Sequence, residues 1–125
     1  MAVPRIIIVD DIFTNRLLLS EILDDLGFQY FQAKNGREAV DELSKNDYNL
    51  VLMDIEMPVM NGVEATRYIR ENFQEPKKDI PIIALTAHNP NLFFDDYSDV
   101  GFTNLVTKPY SVQKIKQLMH DLMLL

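Results

Sequence analysis

Five polar side chains stand where apolar runs end, and together they could bind a cation and support attack on phosphorus. Asp10 and Asp11 follow Arg5-Ile6-Ile7-Ile8-Val9. Asp54 follows Leu50-Val51-Leu52-Met53. Thr86 follows Ile80 to Leu85, and Lys108 follows Thr103 to Thr107. Three carboxylates brought together repel one another, and one tends to stay protonated. A divalent cation removes that conflict. Oxygen-only ligands favour Mg²⁺, which keeps several waters and bridges to phosphate oxygens. A carboxylate can also act as a nucleophile toward phosphorus. Such a transfer needs mostly positioning and charge neutralisation, which Lys108 as a point charge and the Thr86 hydroxyl could supply. Asp54 ends its run alone and is the best nucleophile candidate. Asp10 and Asp11 are adjacent, point in different directions and read as ligands.

These residues meet only if the chain folds suitably. The runs are apolar without alternation, which suits parallel strands covered on both faces. Phe28 to Ala33 mixes aromatic residues with Gln29 and Gln32 and reads as a further strand at an edge. Helical patterns lie between. Phe13, Leu17, Leu18, Ile22 and Leu26 form an apolar stripe, stopped by Gly27. Asn35 to Asn46 carries Ala39, Val40 and Leu43, and Asn61 to Phe73 carries Val63, Ala65, Tyr68, Ile69 and Phe73. Asn91 to Val100 reads as a short helix. Ser111 can cap a last helix carrying Val112, Ile115, Leu118, Met119 and Leu122. Strands alternating with helices predict an α/β fold with a doubly wound five-stranded parallel sheet, order 2-1-3-4-5, flavodoxin-like (βα)5. Residues 1–125 form one domain on this reading. Ligands of such sheets sit beyond the carboxyl ends of the strands, at the switch point between strands one and three. Topology therefore puts all five polar residues on one rim.

Composition narrows the class. The chain has 125 residues, 47% hydrophobic and 25% charged, which suits a globular protein with a real core. Without cysteine there is neither a disulfide framework nor a thiolate metal site. No apolar run is long enough to span a membrane, and Met1 to Arg5 is no signal peptide; a cytoplasmic location is expected. The net charge of −7 argues against nucleic-acid binding, which relies on Lys and Arg.

Four segments carry a family likeness: Ile7-Ile8-Val9-Asp10-Asp11, then Val51 through Asp54-Ile55-Glu56-Met57-Pro58 to Gly62, then Ile82 through Thr86 to Ala87, then Lys108-Pro109. In this order and spacing they resemble the receiver domain of two-component response regulators, of the chemotaxis-receiver type. The resemblance covers the whole chain. It implies that Asp54 accepts a phosphoryl group from a phosphohistidine on a histidine kinase or histidine phosphotransfer protein. It implies Mg²⁺ held by Asp10, Asp11, Asp54 and the backbone carbonyl of Glu56. Thr86 reports phosphorylation, Lys108 contacts the phosphoryl group, and the bond before Pro109 is cis. Pro58 and Gly62 look like the turn into the third helix. The family often carries Tyr or Phe where this chain has Leu105, so a Thr–aromatic switch is not expected. Glu56 and His88, each two residues past a site residue, flank the path of an attacking water and are expected to tune dephosphorylation. Such a domain is not a multi-turnover enzyme. It signals by contact with a downstream protein or by homodimerisation, as a stand-alone regulator or as a domain of a hybrid kinase.

Each residue also has a plain reading. Strand-end aspartates cap helices, Thr86 alone is a turn hydroxyl, Lys108 alone a surface charge, and the methionines are core filler. The set is what favours the site. Phe93, Phe94 and Tyr97 are too apolar for one face of a short helix. Most should pack inside, while one or two, with Leu105, are candidates for a partner surface. Two other functions compete: a phosphohydrolase with an aspartyl nucleophile, which resembles Asp-x-Asp after the first strand, and a pseudo-receiver that binds partners without phosphorylation.

Overall fold

The computed structural model of the chain describes residues 3–87 and 90–125, without the side chains of residues 90, 91 and 94. Five strands form one sheet: β1 (Arg5–Val9), β2 (Gln29–Ala33), β3 (Leu50–Asp54), β4 (Ile82–Thr86) and β5 (Asn104–Thr107). All pair in parallel, in the order β2-β1-β3-β4-β5. This is the expected order, and β2 lies at the expected edge. Parallel pairing buries both faces. The central strands β3 and β4 are accordingly buried along their whole length.

The helices are α1 (Phe13–Leu26), α2 (Gly36–Lys45), α3 (Gly62–Asn72), α4 (Pro90–Tyr97) and α5 (Val112–Asp121). Caps set their starts. Asn35 accepts from the Glu38 N–H, and Ser111 accepts from the Lys114 N–H. Asn61 and Glu64 form a reciprocal capping box at the start of α3. Gly27 closes α1 in the left-handed conformation, with φ of 84°. The two faces of the sheet carry separate cores. α1 and α5 pack over Ile6, Ile8, Leu50 and Leu52, and α2 and α3 pack over Ile7, Val9, Val51 and Met53.

Two expectations about packing need correction. The predicted stripe of α1 faces the core only in its second half, where Ile22 is buried and Leu26 packs against the core. Phe13, Leu17 and Leu18 are exposed, and the buried face is Arg16, Leu19, Ser20, Ile22 and Leu23. Apolar and polar residues are interleaved around the helix, so spacing alone does not select the inner side. Truncating Leu19, which is fully buried, to Ala should therefore destabilise the domain by about 3 kcal/mol. Leu17→Ala, on the exposed side, should cost less than about 1 kcal/mol. Urea denaturation of both variants checks the assignment. The methionines also divide: Met53 and Met119 are buried, but Met123 is 90% exposed.

The loop from β3 to α3 holds a strained residue. Val59 sits at φ of 70° and is almost fully exposed. A β-branched side chain is disfavoured there. Val59→Gly should raise stability by about 0.5–1 kcal/mol, relief of strain outweighing the entropy of the added glycine. The same urea midpoints measure it.

Candidate functional site

β1 and β3 are neighbours, so their carboxyl ends bring Asp10, Asp11 and Asp54 together. One carboxylate oxygen from each lies within 4.8 Å of the other two. Asp10 is fully buried, Asp54 is 7% exposed and Asp11 opens to solvent. An open cleft over these residues is lined by Asp11, Asp54, Glu56, Thr86 and Lys108. Thr86, at the tip of β4, is buried, and its carbonyl accepts the Lys108 N–H at 2.8 Å. The Lys108 ammonium lies 3.2 Å from Asp54 Oδ1 and 4.0 Å from Asp10 Oδ2. The Lys108–Pro109 peptide is cis.

The electrostatics are those of a crowded acidic pocket. Burial pushes the Asp54 carboxyl above its ordinary pKa, and the Asp10 charge adds to it. The Lys108 ammonium and the Ile55 N–H, 3.0 Å from Asp54 Oδ1, pull the other way without cancelling it. Three carboxylates with one ammonium leave an excess of negative charge. Their oxygen-only donor set and close spacing fit Mg²⁺.

Of the remaining expected residues, Glu56 is exposed at the mouth of the cleft. His88 lies outside the described residues, as does the side chain of Phe94. Phe93, a candidate for the partner surface, is instead 1% exposed. It packs with Ile55 and Ala84, and its ring lies 5.2 Å from Tyr97 and 5.6 Å from Phe102. A large aromatic side chain on a short helix over the sheet fills the gap beneath it. Tyr97 and Leu105 are half-buried against the same cluster, and Leu92 is exposed.

The pattern of residues does not reveal Asn15 and Arg16. Both lie in the first turns of α1 and grip Asp10. Asn15 Nδ2 donates to Asp10 Oδ2 at 3.1 Å, and Arg16 Nη1 donates to the Asp10 carbonyl at 2.7 Å. A basic residue among leucines reads as solvent-facing. Only the true inner face, Leu19 and Leu23, puts Arg16 on the buried side by spacing.

Residues 6–120 match the response regulator receiver domain family along nearly the whole fold. The chain belongs to that family. The receiver domain is 33% identical to Two-component response regulator 24 of Arabidopsis thaliana over 117 residues, covering 93% of this chain and 81% of that protein. It is 34% identical to Sensor protein GacS of Pseudomonas syringae pv. syringae, over 93% of this chain but 13% of that protein. The same length of chain thus makes up most of one relative and a small part of another. Among solved structures, the response regulator TrrA of Thermotoga maritima, in complex with Mg²⁺-BeF, superimposes with a TM-score of 0.82 at 35% identity. That match covers 95% of this chain and 98% of TrrA. The protein is therefore a receiver domain of the two-component and phosphorelay type, a phosphoacceptor signalling domain. Among the described residues no helix is long and apolar enough to cross a membrane.

Proposed function

We propose that Asp54 is the phosphoacceptor of this receiver domain, taking the phosphoryl group from a phosphohistidine of a histidine kinase or histidine phosphotransfer protein. The observation that carries this is the convergence of three carboxylates within 4.8 Å beside the Lys108 ammonium, under a cleft that Asp11, Asp54 and Lys108 line. An Asp54 oxygen forms the new bond to phosphorus, the P–N bond of the phosphohistidine breaks, and the imidazole leaves with the bond pair and takes a proton. Asp10, Asp11, Asp54 and the Glu56 carbonyl would hold Mg²⁺, which when bound neutralises charge on the phosphoryl oxygens. Lys108, already paired with Asp54, moves to a phosphoryl oxygen as a point charge. The Thr86 hydroxyl turns toward the added group. Phosphorylation adds roughly −1.5 to −2 charge, enough to bias a two-state arrangement of nearby loops.

Output passes by protein contact. Leu105 replaces the usual aromatic residue, so the shift runs through the cluster in which Phe93 and Tyr97 of α4 pack with Leu105. The exposed apolar residues Ile12, Phe13 and Leu17 stand beside the cleft that Ile12 lines, where a donor could dock. This is the reading of one domain over residues 1–125, working in the cytoplasm and accepting phosphoryl groups rather than turning over substrate.

Incubation with acetyl phosphate and Mg²⁺, followed by intact mass, tests the reading. A gain of one phosphoryl group is expected. Release of many phosphate equivalents per chain would support a hydrolase instead, and an unchanged mass a binding-only module. Glu56, at the cleft mouth, should act later. Glu56→Ala should alter the hydrolysis rate of the phosphorylated chain severalfold while changing its rate of formation less. Equal hydrolysis rates would remove Glu56 from that role.

A further inference from the structure

Arg16 is a basic residue on the buried face of α1. It is 6% exposed, yet among the described residues no carboxylate lies within 4.0 Å of its guanidinium. A buried cation without an ion-pair partner is costly. Its bonds show what the fold gains from it. Nη1 donates to the Asp10 carbonyl at 2.7 Å, Nε donates to Gln32 Oε1 on the edge strand β2 at 3.2 Å, and the Phe13 ring lies 5.8 Å away.

The carbonyl that Arg16 holds belongs to the peptide joining Asp10 to Asp11. That planar unit carries the Cα atoms of both acidic residues, so holding its oxygen restrains where both side chains start. The rest of Asp10 is held as well. Its N–H donates to the Ala33 carbonyl, Oδ1 accepts the Ile12 N–H and Oδ2 accepts from Asn15. Among the described residues, Arg16 is the side chain that holds the carbonyl linking the two acidic residues. We infer that Arg16 is a positioning residue for the cation site, its guanidinium anchored on Gln32 and holding the Asp10–Asp11 peptide so that both carboxylates face Asp54. This rests on the proposed reading of that pocket as a Mg²⁺ site. Losing a group that orients metal ligands typically weakens metal binding by roughly 10–100-fold.

The test is Mg²⁺ titration of the full chain by calorimetry, at a temperature where circular dichroism shows each variant folded. Arg16→Met keeps the apolar stem and removes both bonds, and its Mg²⁺ Kd should weaken about tenfold. Arg16→Lys, whose single ammonium reaches one acceptor at a time, should fall between Arg16→Met and wild type. In the acetyl phosphate reaction, the Mg²⁺ concentration for half-maximal rate should shift with Kd, while the rate at saturating Mg²⁺ changes less. A purely structural tie between α1 and β2 would lower the melting temperature and leave Kd alone. Wild-type affinity in folded Arg16→Met, or in Arg16→Lys should Arg16→Met not fold, overturns the inference. So does tighter binding, which would mean that charge repulsion outweighs positioning. If wild type itself binds no Mg²⁺, the proposed function fails and this inference with it. Wild-type binding with unchanged variants sinks the inference alone.

Discussion

Asp54→Asn should abolish the mass gain from acetyl phosphate and at the same time make the metal-free domain more stable. The first effect is total, because the amide is no nucleophile toward phosphorus and no other carboxylate in the pocket sits beside Lys108 at 3.2 Å. The second follows from the direction of the Asp54 pKa. Burial and the Asp10 charge raise it in the folded state. The native chain therefore holds the Asp54 proton more tightly than the unfolded chain does. Stability from that proton is complete below the ordinary carboxylate pKa and is lost as pH rises through the folded value. At neutral pH the ionised Asp54 is a net burden, partly offset by Lys108. Asparagine keeps the shape, drops the charge and removes this pH dependence. Thermal melts in EDTA across about pH 4 to 8 check it: the Asp54→Asn variant should melt higher at the upper end, and the gap should close toward the lower end. Added Mg²⁺ should then raise the melting temperature of wild type by linkage, and that of Asp54→Asn far less. A wild type that melts higher than the variant in EDTA at neutral pH would contradict the reading of this carboxylate as strained by its surroundings.

The positions of Asp10, Asp11, Asp54 and Thr86 are readable because they end or follow strands that are buried nearly throughout, whereas Lys108 follows the partly exposed edge strand β5 and is read from its place in the order. Strands buried on both faces are continuous apolar runs, and the first polar residue after one marks its tip. Order 2-1-3-4-5 then brings the tips of β1 and β3 together without any long-range information. α1 is less readable. Phe13, Leu17, Leu18, Leu19, Ile22 and Leu23 cover it on most sides, so packing on Ile6 and Ile8, rather than period, settles the burial of Leu19 and the exposure of Phe13. The same ambiguity hides Arg16, which shares the inner face with Leu19 and Leu23. Phe93 reads as a surface candidate because α4 is short. The sheet below it offers Ile55 and Ala84, and burying the ring there outweighs the preference of a short helix for solvent. The chemistry of the pocket is more legible than the residues that hold it still, since ligands sit at strand ends and their supports sit wherever the packing leaves room.

Gly62→Ala shows how close that packing comes to the chemistry. Gly62 opens α3, and its N–H donates to the Ile55 carbonyl at 2.8 Å. A Cβ built on it would overlap the Asp54 carbonyl oxygen and lie 3.0 Å from Met53 Cγ. The constraint is space, since the first contact is backbone and cannot rotate aside. Either α3 backs away, breaking the bond to Ile55 and opening the core over Met53, or the tip of β3 moves and takes Asp54 with it. Overpacking of this kind costs about 1–3 kcal/mol where side chains can yield, and a rigid backbone contact should put Gly62→Ala at or above the top of that range. The two responses differ in outcome. If the helix yields, denaturant midpoints fall while Mg²⁺ affinity in the folded fraction holds. If the strand tip yields, affinity and the rate of phosphoryl gain fall together with stability. The second is expected, because the capping box of Asn61 and Glu64 and the fully buried Ala65 and Ile69 fix the start of α3 more firmly than one strand end is fixed. A Gly62→Ala chain with wild-type stability would mean that the backbone approach onto Asp54 is not as tight as this overlap requires.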